Sequence, residues 1–235
     1  MLVIRSLIFL LLQLILTPIF STLSLLTFPF PPLTRYRLIS SYAHTMIWLL
    51  RVVCGIRHEV RGIGNIPEKP CIVLCKHQSA WETLALQVIF PPQAWVLKRE
   101  LLWLPFFGWG LAMTSPIAIN RSEGKGAIKQ LLKQGKERLA QGFFVVIFPE
   151  GTRVPYGTRG KYKIGGALLA ASSGAPVVPV AHNAGRLWGR NAFSKRPGLI
   201  TLSIGQPIST QARKADEINA EAETWIEDEM QRLPH

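Results

Sequence analysis

Apolar residues along this 235-residue chain come in runs whose period changes from one end to the other. The first run is the longest: from Ser6 to Thr34 there is no Asp, Glu, Lys or Arg, a stretch of 29 residues. About 20 apolar residues in a helix are enough to cross the hydrocarbon layer of a bilayer. A cleaved signal peptide is the alternative. The run is too long for one, its leading segment holds only Arg5, and no A-x-A site follows, so the pattern predicts a retained anchor. A second apolar stretch, Leu38 to Ile56, carries a single charged residue, Arg51. Pro18 and the cluster Pro29, Pro31 and Pro32 interrupt a straight path. Two arrangements stay open: one tilted span, or two helices dipping into one leaflet with both ends on one side.

Beyond Ile56 the runs shorten and alternate in type. Residues Arg57 to Pro70 are rich in Gly and Pro and predict a loop with a short strand. Cys71–Cys75 (CIVLC) predicts a buried strand, Ser79–Phe90 a helix and Ala94–Leu97 another strand. Leu101–Gly110 is apolar and aromatic, and Pro116–Ile119 is strand-like. Ser122 is placed to cap a helix whose apolar positions Ile128, Leu131, Leu132 and Leu139 share one face. Phe143–Phe148 (FFVVIF) is the strongest strand signal; a Gly-rich loop and an Ala-rich helix near Ile164–Ser173 follow it. Val177–Ala181 and Leu199–Ile204 predict the last strands. From Thr210 to Leu233 the pattern is an acidic amphipathic helix with Ile218, Ala222, Trp225, Ile226 and Leu233 inward. The fold class expected is therefore α/β, a mixed sheet flanked by helices, with an N-terminal hydrophobic membrane anchor. The boundaries expected are an anchoring segment at 1–56 and an α/β domain at 57–235.

Composition sharpens this picture at two points. The formal charge of +13 is concentrated in the middle: residues 67–213 hold nineteen basic and six acidic side chains, the tail from 214 two and seven. Nucleic acid is the usual partner of such a balance. No interleaving of aromatic and basic residues supports it here, and beside an anchor an anionic lipid surface fits better, since each juxtamembrane Lys or Arg gains about 1 kcal/mol there. The bias also predicts a cytoplasmic (inner) membrane location with the α/β domain facing the cytoplasm. Cys54, Cys71 and Cys75 form no C-x-x-C pair and no zinc spacing with the five histidines, so structural thiols in a reducing compartment are expected.

Two constellations carry candidate chemistry. His77, in Lys76-His77-Gln78-Ser79-Ala80-Trp81-Glu82, follows a strand and precedes a helix. An imidazole is the side chain best suited to take a proton near neutral pH, and a carboxylate at Glu82 would orient it. Ser79-x-x-Glu82 is equally a capping box, in which Glu82 bonds only the helix start. Phe148-Pro149-Glu150-Gly151-Thr152-Arg153 ends the strongest strand, and its glycine, hydroxyl and guanidinium suit a phosphate. An ordinary turn with solvated charges is the alternative, as it is for Asn120-Arg121 and for Arg159, Lys161 and Lys163. There is no G-x-S-x-G nucleophile elbow, P-loop or dinucleotide fingerprint.

Taken together and in this order, the pieces resemble the glycerolipid acyltransferase family over about residues 57–210. His77 with Glu82 is similar to the family's H-x4-D block, and Ile117-Ala118-Ile119-Asn120-Arg121 to its second block. Phe148 to Arg153 matches F-P-E-G-T-R letter for letter. Val178-Pro179-Val180 resembles the fourth block, and the stretch from Lys98 to Gly108 resembles the segment between the first two. Lys163-Ile164-Gly165-Gly166 is similar to the K-x-G that follows F-P-E-G-T-R. The resemblance implies direct acyl transfer to the sn-2 hydroxyl of lysophosphatidic acid from acyl-CoA or acyl carrier protein, with no cofactor, metal or nucleic acid. It assigns His77 as general base and Glu82 as its orienting acid. Lys98, Arg121, Glu150, Gly151, Thr152, Arg153, Lys163 and Pro179 become substrate-binding residues. Glu82 departs from the family's aspartate by one methylene, and Lys76 from the asparagine often found before the histidine. Acylation of another lysolipid or of glycerol-3-phosphate is the nearest alternative. A non-catalytic module that binds anionic lipid is the alternative outside enzymes.

Overall fold

The structure, a computed structural model, describes residues 1–234. Three helices open it: α1 (Leu2–Leu25), α2 (Pro32–Ile39) and α3 (Ser41–Cys54). The chain then runs β1 (Ile56–Arg61), β2 (Ile72–Cys75), α4 (Trp81–Ile89), β3 (Gln93–Lys98), α5 (Phe107–Met113) and β4 (Ile117–Ile119). It closes with α6 (Lys125–Ala140), β5 (Phe144–Ile147), α7 (Gly165–Ser173), β6 (Val177–His182), α8 (Ala184–Leu187), β7 (Gly198–Ile204) and α9 (Ala215–Arg232).

The seven strands form one mixed sheet in the order β1-β7-β6-β2-β5-β3-β4. Only the β6–β7 pair is antiparallel, so five strands from β6 to β4 share a direction and β1 and β7 oppose them. Both faces are covered, which is why the central strands read as unbroken apolar runs rather than alternating ones. Alternate residues enter different layers. Cys71, Val73 and Cys75 join a core with Phe9 of α1, Met46 and Leu50 of α3, and Leu84 and Leu86 of α4. Ile72 and Leu74 join the opposite core with Leu131 of α6, Leu169 of α7, and Ile218, Ala222 and Ile226 of α9. Burying each such side chain contributes about 1.5–3 kcal/mol.

The expected elements are present, with local differences. The Gly- and Pro-rich segment yields a full six-residue strand, β1, because β7 offers a parallel partner from Gly198 to Ser203. Ser122 does not cap α6. The helix starts from Gly124 with no side-chain cap, and Ser122 instead bonds Asn120 Oδ1 within a short 3₁₀ turn.

Helix α1 is patterned inside out. Its buried residues are Ser6, Phe9, Ser21 and Ser24, while Val3, Leu7, Leu11, Leu14, Ile15 and Leu23 are exposed. It is the one helix among the described residues long and apolar enough to cross a membrane. It also packs on α3 and α5. At Gly110 of α5 a Cβ would lie 2.9 Å from Ser21 Oγ and 3.4 Å from Ser21 Cα, so glycine lets the two helices come this close without a shift.

Candidate active site

Four parallel strands deliver the polar residues of the site at their carboxyl ends, where open α/β sheets bind ligands. His77 follows β2, Lys98 ends β3, Arg121 follows β4, and the Phe148–Arg153 turn follows β5. The β2 and β5 turns are tied together. Val154 N–H donates to the His77 carbonyl (2.9 Å), and His77 N–H donates to Glu150 Oε2 (2.9 Å). Gly151 adopts φ +70° in this turn, a backbone conformation that favours glycine.

Glu82 Oε1 accepts three hydrogen bonds: from His77 Nδ1 (2.8 Å), Gln78 N (2.9 Å) and Ser79 N (2.9 Å). Ser79 Oγ accepts from Trp81 N (3.1 Å). One oxygen therefore binds the backbone of the turn that leads into α4 and contacts the imidazole, while α4 itself has Ala80 at its N-cap and no side-chain cap. Burial opposes charge on Glu82, but the imidazoles of His182 and His77 and the Ser79 N–H outweigh it and hold the carboxyl below its ordinary range. An ionised carboxylate can only accept, so Nδ1 carries a proton and Nε2 is the ring nitrogen left free of Glu82. The His77 ring stacks on Phe148 with centroids 3.8 Å apart and planes 11° apart, which fixes its orientation from a second side.

His77 stands in the wall of a cavity of about 310 Å³. Arg121, Arg153 and Lys98 share that wall with Phe148 and Trp95. The remainder is mainly apolar and comes from α4, α5 and α1, including Leu84, Leu111, Phe107 and Phe20. Arg121 Nη1 donates to the Gly151 carbonyl (2.6 Å), while Arg153 Nε is buried with no hydrogen-bond partner among the described residues. A buried guanidinium donor left open in a cavity wall is costly unless an anion completes it. Lys98 is half exposed and pairs with Glu100 (3.3 Å).

The other sequence candidates lie elsewhere. Glu150 turns inward, its carboxylate fully buried, with Oε1 2.8 Å from Lys76 Nζ. Burial pushes its carboxyl up, against the Lys76 ammonium and the His77 N–H. Thr152 and Lys163 are exposed outside the cavity, and Pro179 is buried in β6, paired with Leu74. Gly151 reaches the site only through its carbonyl.

The Acyltransferase family profile matches residues 57–183, more than half of the chain. The chain belongs to that family. Over 220 residues it is 50% identical to the 1-acyl-sn-glycerol-3-phosphate acyltransferase of Pseudomonas aeruginosa, covering 92% of this chain and 86% of the relative. It is 32% identical over 187 residues to the enzyme of that name from Saccharomyces cerevisiae, covering 77% of this chain and 61% of the relative. Its fold is shared with the crystal structure of the 1-acyl-sn-glycerophosphate (LPA) acyltransferase PlsC from Thermotoga maritima. There the TM-score is 0.82 at 20% identity, over 99% of this chain and 95% of that one.

Within this O-acyltransferase, two buried groups escaped the motif reading. Lys76, 1% exposed at its side chain, also pairs with Glu227 of α9 (2.7 Å), which accepts a hydrogen bond from Tyr162 (2.8 Å). His182 lies behind Glu82: its Nε2 donates to the Lys76 carbonyl (2.9 Å) and its Nδ1 accepts from Ala184 N (3.3 Å). Burial drives its pKa below the usual imidazole range. The one sequence signal for this cluster was a lysine placed directly after the apolar strand Cys71–Cys75 and beside the catalytic candidate.

Proposed function

We propose that the chain transfers a fatty acyl group from an acyl thioester, acyl-CoA or acyl carrier protein, to the sn-2 hydroxyl of 1-acyl-sn-glycerol-3-phosphate, making phosphatidic acid for phospholipid synthesis. One observation carries the reading: a single cavity joins an oriented imidazole and two guanidiniums at its polar end to apolar walls from α1, α4 and α5. The name of the Pseudomonas relative points the same way.

In this reading Arg153 and Arg121 hold the acceptor's phosphate, and acyl chain lies along the apolar walls. His77 Nε2 takes the proton of the acceptor hydroxyl as its oxygen attacks the thioester carbonyl. The C–O bond forms, a tetrahedral intermediate collapses, and the C–S bond breaks. The proton on Nε2 passes to the leaving thiolate. Glu82, 2.8 Å from Nδ1, stabilises the imidazolium between these steps. Glu150 and Lys76 act behind the site by holding the His77 backbone.

Membrane association follows from α1. Both of its ends are held to the α/β unit, Ser6 Oγ accepting from Lys195 N (2.9 Å) and Ser21 and Ser24 lining the cavity. Its exposed side is apolar along its length, which favours a helix lying in one leaflet with the catalytic unit on the cytoplasmic face. Lysolipid would then reach the cavity without leaving the bilayer.

The test is purified protein in detergent with a panel of lysolipids and acyl thioesters, following release of free thiol. Turnover is expected with lysophosphatidate, and His77→Ala should lose about 10²–10⁴ in rate while staying folded. A variant with near-normal turnover refutes the mechanism. Faster reaction with glycerol-3-phosphate or a lysolipid without the phosphate monoester refutes the acceptor.

A further inference from the structure

A second cavity, of about 550 Å³, lies where α3 and α4 meet the outer edge of the sheet at β1 and β7. It shares no lining residue with the cavity that holds His77. Its polar wall is His44 and Arg51 of α3 with Arg57 and His58 of β1, and no acidic side chain lines it. Arg51 and Arg57 are exposed, and neither makes an ion pair among the described residues. Glu59, the acid next along β1, is engaged elsewhere by Arg61 (2.8 Å) and Thr201 (2.9 Å). His58 rests edge-on against Trp81 (5.7 Å) at the start of α4. The rim is apolar: Trp48 is 59% exposed, Val52 follows one helical turn later on the same side of α3, and Leu199 is exposed on β7.

These features select a ligand. A soluble anion would account for the two guanidiniums but not for an exposed tryptophan beside them. A neutral lipid would account for the tryptophan but leave the cations without a counter-charge. Guanidinium forks pair with phosphate oxygens in bidentate fashion, and tryptophan settles at the level of lipid headgroups. Two unpaired arginines suit a phosphate monoester better than a singly charged diester. We propose that this pocket is a second lipid site that takes the phosphate-monoester headgroup of a membrane glycerolipid, with Arg51 and Arg57 on the phosphate and Trp48 against the glycerol and acyl ester region. The choice of a monoester lipid rests on the function proposed above, whose acceptor and product are both of that class.

The experiment measures binding rather than turnover, so its outcome is separate from that of the acyltransferase assay. Full-length protein in neutral detergent micelles is titrated with short-chain phosphatidate, short-chain phosphatidylglycerol and inorganic phosphate by calorimetry. Wild type should bind two phosphatidates per chain. Arg121→Ala/Arg153→Ala should keep the second site, and Arg51→Ala/Arg57→Ala should weaken that site about ten-fold or more, the scale of one charge-assisted contact. Turnover on lysophosphatidate should be unchanged in the latter variant. Arg51→Lys/Arg57→Lys should recover part of the affinity, because charge persists without the fork. Unchanged affinity of the second site in Arg51→Ala/Arg57→Ala overturns the proposal. So does equal affinity for phosphatidylglycerol, which would make the patch a general anionic surface. Displacement of phosphatidate by equimolar inorganic phosphate overturns it too, because the pocket would then be a site for the free ion.

Discussion

Replacing Glu82 by glutamine separates the two duties that one oxygen performs. The amide carbonyl can still accept from Gln78 N and Ser79 N, so the turn that leads into α4 survives. The negative charge does not survive. Two unit charges at the observed 2.8 Å interact by about 6 kcal/mol at an effective dielectric of 20. The retained neutral hydrogen bond, worth about 1 kcal/mol, and relaxation of the pair reduce the net loss to roughly 3–5 kcal/mol in the transition state. At 1.36 kcal/mol per decade this is about 10²–10⁴ in kcat, a range that does not exceed the loss expected for His77→Ala. Glutamine also puts an amide N–H at the position of Oε2. That oxygen is buried without a partner, 3.8 Å from His182 Nε2, whose hydrogen is committed to the Lys76 carbonyl. A buried donor without an acceptor costs about 1–3 kcal/mol, so the variant should also melt earlier. The assay is kcat and KM for lysophosphatidate beside a melting curve, for Glu82→Gln, His77→Ala and the double variant. The losses should be far from additive, because the carboxylate acts only through the imidazole. A glutamine variant with normal turnover would reduce Glu82 to a support of the turn before α4. Additive losses would give it a role independent of His77.

The remaining expectations concern the cations and acid stability. Arg153→Ala should cost roughly 1.5–3 kcal/mol, or about 10- to 150-fold in kcat/KM, for lysophosphatidate and nothing for an acceptor without phosphate; equal losses on both acceptors would assign the arginine to the donor or the fold. Lys76→Met leaves the buried Glu150 and the largely buried Glu227 unpaired and should destabilise by about 3–5 kcal/mol, whereas Glu227→Gln should cost much less because Lys76 keeps Glu150; the reverse order in melting temperature would refute this account of the cluster. Glu82, held below its ordinary 4.5, contributes stability that is present above that pH and lost as pH falls through its folded value. Stability measured against pH should therefore fall less steeply below about 4.5 in Glu82→Gln than in wild type; identical slopes would show that Glu82 is not depressed.

Local signals in the chain were enough for the element order, for placing the candidate residues at the carboxyl ends of the strands, and for the contact of His77 with Glu82. The reason is that each rests on short-range physics. CIVLC and FFVVIF are too apolar to be anything but buried strands, and a turn that follows such a strand must open at its carboxyl end. The His77–Glu82 contact spans five positions, within reach of a turn entering a helix. Arg121 and Arg153, 32 positions apart in the chain, were linked by motif order and meet in one wall because β4 and β5 run parallel with β3 between them. Tertiary structure alone decided the rest. Glu150 carries the same letter in its motif whether it faces ligand or core, and it faces the core because Lys76 and the His77 N–H wait there. Glu227 lies 151 positions from Lys76 on a helix whose pattern reveals an inward face but not what that face meets. Helix α1 reads as an anchor from composition, yet its serines line the cavity that holds His77, where α1 packs against α5 at Gly110. Sequence by itself determined which side chains could hold chemistry and which segments bury apolar surface, since both are properties of side chains. Which carboxylate turns toward the cavity, and which helix walls it, depended on partners far away in the chain, and only closing the sheet brings those partners together.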